Sequence, residues 1–128
     1  MYNELFGIKS KEFIQADDNS TGILSFINVD QKITLWNILV SLTARYASLK
    51  KDSAVFIFDQ STIFDYYTEL QNLGTNVFTK VAKTHEKYDA IIVFFGDKTL
   101  SQQELYQLVS LSNGNIIFLG TYRYNLHI

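Results

Sequence analysis

Four short apolar runs recur along the chain at intervals of about thirty residues, at positions 23–27, 54–58, 90–95 and 115–119. Each is a continuous stretch of aliphatic and aromatic residues broken by at most one polar residue, Ser25 in the first and Asn115 in the last. A run without alternation suits a strand covered on both faces, because both sides of the pleat then need apolar groups. The segments between the runs carry a helical period instead. Strand and helix in turn, at this spacing, predict a three-layer α/β domain with a mainly parallel sheet, spanning residues 1–128 as one unit.

The helical segments differ in how well they are marked. Residues 34–49 place Asn37, Ser41, Arg45 and Ser48 in one narrow polar stripe, while Leu35, Trp36, Ile38, Leu39, Val40, Leu42 and Tyr46 cover the rest. A helix this apolar is expected to lie across the sheet with Trp36 packed on it. After the second run, Ser61 or Thr62 offers an N-cap. Ile63, Tyr66, Tyr67, Leu70 and Leu73 then share a face, and Gly74 suits the C′ position. Residues 77–87 carry both periods and are read as a short strand followed by a helix. Ser101 and Glu104 have the S-x-x-E spacing of a capping box, leading into Leu105, Leu108, Val109 and Leu111, with Asn113 and Gly114 as the predicted helix end. In residues 1–20, the isolated pairs Phe6-Gly7 and Phe13-Ile14 and the turn residues Asp17, Asp18, Asn19 and Ser20 predict one or two short edge strands and a turn.

Composition narrows the function classes. With 47% hydrophobic and only 19% charged residues, and with 10 Phe, 8 Tyr and 1 Trp, the chain is too apolar for a disordered segment. A net charge of −2 implies no general attraction to nucleic acid or to anionic lipid. Lys50 and Lys51, followed by Asp52, read as a solvated cationic helix end. There is no cysteine, and His85 and His127 lack the i, i+4 spacing of a helical zinc pair, so no metal site is predicted from them. No apolar run approaches the ~20 residues of a membrane span, and Met1 to Phe6 has no basic n-region or apolar core. The expectation is a cytoplasmic segment without direct membrane contact, free or as a domain of a membrane-anchored protein.

In a parallel sheet ligands bind beyond the carboxyl ends of the strands, so the residues after each run carry the candidate chemistry. A phosphate loop after the first strand needs glycines, so that backbone N–H groups can approach the phosphates, together with a lysine and a metal-binding hydroxyl. Residues 28–34 contain no glycine. With Thr34 on the hydroxyl position, Ile33 falls where lysine belongs and Lys32 where glycine belongs. Asn28 and Asp30 complete this degenerate loop, and a like charge such as Asp30 ~4 Å from a phosphate costs about 4 kcal/mol at an effective dielectric near 20. Asp59 and Asp97 are the strand-end acids, each readable as a ligand or metal carboxylate or as an ordinary loop acceptor. His85 reads as a half-buried imidazole, and the Gly-x-Ser-x-Gly of a nucleophile elbow is missing, so no catalytic residue is assigned. Tyr66, Tyr67, Tyr88, Tyr106, Tyr122 and Tyr124 can stack or anchor a partner. Tyr122, Arg123 and Tyr124 make the candidate interaction anchor, because interface centres favour Tyr, Trp and Arg.

Several of these segments share a pattern with one family. Gly22-Ile23-Leu24-Ser25-Phe26-Ile27, the helix holding Leu39-Val40-Ser41-Leu42-Thr43-Ala44-Arg45-Tyr46, and Ala54-Val55-Phe56-Ile57-Phe58-Asp59 together resemble the FtsK/SpoIIIE class of RecA-like motor domains. Residues 88–97 resemble their Walker B strand and residues 115–120 the strand that follows, so the resemblance runs from about residue 5 to residue 121. It implies a RecA/Rossmann-like fold. In that alignment Gly96 stands in place of the metal-positioning acid and Asp97 in place of the catalytic glutamate, so the resemblance implies a pseudo-ATPase without cofactor. Such decay is similar to that in the C-terminal domains of the type VII secretion coupling protein (EssC-like).

Two functions are carried forward. The first is a non-catalytic interaction or regulatory module, in a secretion or translocation machine, whose partner is a protein: an adjacent motor domain or a secreted substrate. The second is a divergent nucleotide or small-metabolite binder in which Asp30, Asp59 and Asp97 surround a divalent ion. A phosphoacceptor receiver domain is set aside, because it needs an acidic pair after the first strand and a lysine after the last, where Gly120, Thr121 and Tyr122 stand.

Overall fold

The computed structural model describes residues 8–14, 21–29, 31–59, 64–81, 86–96 and 98–121. They form a six-stranded sheet with helices on both faces. The strands are β1 (Ile8–Ile14), β2 (Thr21–Val29), β3 (Ser53–Ile57), β4 (Asn76–Phe78), β5 (Tyr88–Gly96) and β6 (Ser112–Thr121). The helices are α1 (Lys32–Ser48), α2 (Phe64–Asn72) and α3 (Gln102–Ser110). Strand order is β1-β2-β6-β5-β3-β4, with β1 antiparallel to β2 and every other neighbouring pair parallel. The predicted three-layer α/β architecture is the one observed, and all four apolar runs are strands.

The two faces have separate cores. On one, Leu35, Trp36 and Leu39 of α1 and Leu70 of α2 meet Val55, Ile57, Ile92, Phe94 and Leu119. On the other, Leu105 and Leu108 of α3 meet Ala54, Phe56, Ile91, Val93, Ile116 and Phe118. Adjacent residues of β3 and β5 thus point to opposite cores, which is why these runs are apolar without alternation. The connections from β2 through α1 to β3, and from β3 through α2 to β4, advance in one direction across the sheet. The connection from β5 through α3 to β6 goes back. Direction and covered face change together, as a single crossover hand requires.

In crossing from β2 to β3, α1 passes over β6 and β5, and this central path explains its composition. Leu35, Trp36 and Leu39 are fully buried, and the Trp36 ring stacks on Phe94 with centroids 4.4 Å apart. The polar stripe Asn37, Ser41, Arg45 and Ser48 is exposed, as predicted. The buried Thr43 hydroxyl donates to the Leu39 carbonyl at 2.7 Å, so its burial leaves no unmet hydrogen bond. At the C-terminus the Lys51 N–H reaches the Tyr46 carbonyl and the Lys50 N–H that of Ala47, both at 3.0 Å, with Lys50 at φ 56. This is a Schellman ending in which lysine occupies the position glycine prefers.

Helix α3 bears out its capping box. The Glu104 N–H donates to the Ser101 hydroxyl and the Ser101 N–H to the Glu104 carboxylate, each at 3.1 Å. The helix ends at Ser110, however, and Asn113 and Gly114 lie inside β6. Tyr88 pairs with Ser112 and Ala90 with Asn115, so β6 carries one extra residue there. A Cβ on Gly114 would come within 2.6 Å of the Asp89 carbonyl oxygen, so this Asn-Gly serves a bulge with a close backbone approach rather than a helix end. Residues 76–78 form the expected short strand, but residues 79–81 and 86–87 are not helical. Residues 82–85 of the predicted helix, His85 among them, lie outside the described residues, as do the turn at 17–20 and the caps Ser61 and Thr62.

Aromatic rings pack against one another in the interior. Phe26 stacks on Phe118 at 4.9 Å and Phe56 on Phe78 at 5.1 Å, while Phe95 meets Phe118 edge-on at 6.4 Å. Tyr88 is buried, and its hydroxyl donates to the Glu86 carboxylate at 3.3 Å. Burial, with the Glu86 charge adding to it, pushes the Tyr88 phenol above its ordinary range. Tyr106, by contrast, is an exposed aromatic side chain.

Candidate functional site

Strands β3 and β5 are neighbours, yet the chain leaves them in opposite directions, to β4 and to β6. The reversal is a topological switch point, and the crevice expected beyond the carboxyl ends at such a point is the place where ligands bind in open α/β sheets. Three residues define it: Asp59 just after β3, Gly96 at the end of β5, and Lys32 at the start of α1.

The Phe58 N–H donates to the Phe94 carbonyl at 2.8 Å, continuing the ladder past the end of β3 and carrying Asp59 back along β5. The Asp59 side chain is only 3% exposed. Its Oδ2 accepts from the Lys32 Nζ at 2.9 Å, while the lysine side chain remains 27% exposed. A carboxylate taken so far out of water needs a compensating charge, and the ammonium supplies it. The lysine is placed there by α1, whose first turn lies over β5 through the Trp36–Phe94 stack.

Gly96 completes the arrangement. A Cβ at this position would overlap the Asp59 carboxylate, and its φ of +55 is a backbone region that side-chain-bearing residues rarely adopt. Here β5 carries the extra residue, since Phe94 pairs with Leu119 and Gly96 with Gly120, and the Lys98 N–H closes the turn on the Phe95 carbonyl at 2.8 Å. The sequence reading treats Gly96 as a lost acid. In the structure its missing side chain is the space in which the acid from β3 sits. A carboxylate added at position 96 would meet both steric overlap and a like charge.

The degenerate loop residues are not gathered around this crevice. Asn28, one residue before the end of β2, lies beside Gly120, in step with Leu24 and Phe26, which belong to the α3 face. Lys32 and Thr34 open α1 on the other face, and Thr34 is exposed. Strands β6 and β5 separate β2 from β3, roughly 14 Å at ordinary strand spacing, so Asn28 and Asp59 belong to different parts of the surface. Lys32 and Asp59 are the predicted residues brought together. The sequence pattern puts them in separate sites, and the signal that joins them is the position of a lysine at the first turn of a helix that crosses to β3. Asp30, Asp97, Tyr122, Arg123 and Tyr124 lie outside the described residues.

The chemistry of the crevice is that of a neutralised acid. The Lys32 ammonium would compete with a divalent ion for Asp59, and among the described residues no group of three or more His, Asp or Glu side chains is placed to hold a metal. The N-terminus of α1 has no side-chain cap from Gln31, and its first turn contains no acidic residue. Among the described residues no helix is long and apolar enough to cross a membrane.

Compared with protein-family models, with curated proteins and with solved structures, the chain matches none of them.

Proposed function

We propose that this chain is a non-catalytic protein-recognition or regulatory module on a motor-type α/β fold, acting in a secretion or translocation machine. Its partner on this reading is an adjacent motor domain or a secreted substrate. The observation that supports it best is the Lys32–Asp59 pair at 2.9 Å, which satisfies internally the acid that a Mg²⁺-nucleotide site at the switch point would use. The glycine-free segment 28–34 adds to this, because it lacks the open backbone N–H groups that receive phosphates. In the competing function, a nucleotide or metabolite site with Asp30, Asp59 and Asp97 around a divalent ion, the metal would compete with Lys32 for Asp59.

The anchor of recognition is assigned to Tyr122, Arg123 and Tyr124. Ile33 and Leu49 are exposed but sit at opposite ends of α1, about 24 Å apart along its axis, and Tyr106 is on the other face of the sheet. No two of them form one patch. Chemical cross-linking in the native cells, followed by capture with the full chain, tests the anchor. The Tyr122→Ala, Tyr124→Ala double variant is expected to lose the cross-linked partner while its circular dichroism is unchanged, and Tyr106→Ala is expected to retain it. Undiminished capture by the folded double variant would reject the anchor.

A further inference from the structure

We draw no further inference here: the strongest candidate, the crevice at the carboxyl ends of β3 and β5 where the uncapped first turn of α1 brings Lys32 onto the buried Asp59, belongs to the site already described, and nothing in it beyond a helix N-terminus and an internally satisfied ion pair points to a ligand.

Discussion

Asp59 is a charged side chain in the interior, and what surrounds it sets the cost of changing it. Removing one partner of a buried ion pair costs more than the pair contributes, because the remaining charge keeps its desolvation penalty. Lys32→Met retains the aliphatic stem and deletes the charge, so urea unfolding should show a loss of about 3 kcal/mol, the lower end for buried pairs because the lysine is partly exposed. Adding Asp59→Asn should recover part of that loss, a non-additivity expected only of residues in contact. Gly96→Ala tests the same contact from the other side. Its positive φ alone costs about 1–2 kcal/mol, and overlap with Asp59 adds to it, so the penalty should shrink to the backbone part when Asp59→Ala is also present. Equal penalties in the two backgrounds would place Asp59 elsewhere. At this scale the sequence names the right residues with the wrong relations. Lys32 is legible as a failed phosphate lysine and Asp59 as a strand-end acid, but their pairing depends on where α1 lies over the sheet. Gly96 reads as an absence until the carboxylate beside it is seen.

Elements were legible where the signal is local. The capping box of α3 needs only Ser101 and Glu104, and the buried character of α1 needs only its narrow polar stripe. Where the same residues serve two purposes, local reading fails. Asn113-Gly114 is good chemistry for a helix end and equally good for a bulge, and only the register of β6 against β5 separates the two. The segment after β4 fails for another reason: its helical spacing of Val81 with Phe78 reflects both side chains packing on the α3-side core, not a helix. The end of α1 offers a direct check on element geometry. Lys50 holds a left-handed conformation that costs a side-chain-bearing residue about 1 kcal/mol, so Lys50→Gly should raise stability by up to that amount in urea unfolding. A destabilised Lys50→Gly protein would mean that α1 does not end in a Schellman motif.

For the whole molecule, fold class was legible because four doubly covered strands leave an unmistakable apolar rhythm, while strand order was not, since nothing in a run of Ile, Val and Phe says which neighbour it will have. That order decides the functional reading. It makes β3 and β5 adjacent, puts the switch point between them, and brings a lysine from the first crossover helix to the acid there. It also takes Trp36, Tyr88 and several Phe rings into the two cores, so the Phe content is in good part an account of packing, and the proposed recognition anchor is the segment Tyr122, Arg123 and Tyr124. A chain of this architecture with its switch-point acid held internally should have no use for nucleotide. The most direct measurement is calorimetric titration of the full wild-type chain with ATP, and separately with GTP, in the presence of Mg²⁺. The account predicts no binding heat up to millimolar nucleotide. Micromolar affinity dependent on Mg²⁺ would contradict it, showing that Asp59 gives up Lys32 for a metal and that the crevice is a working site.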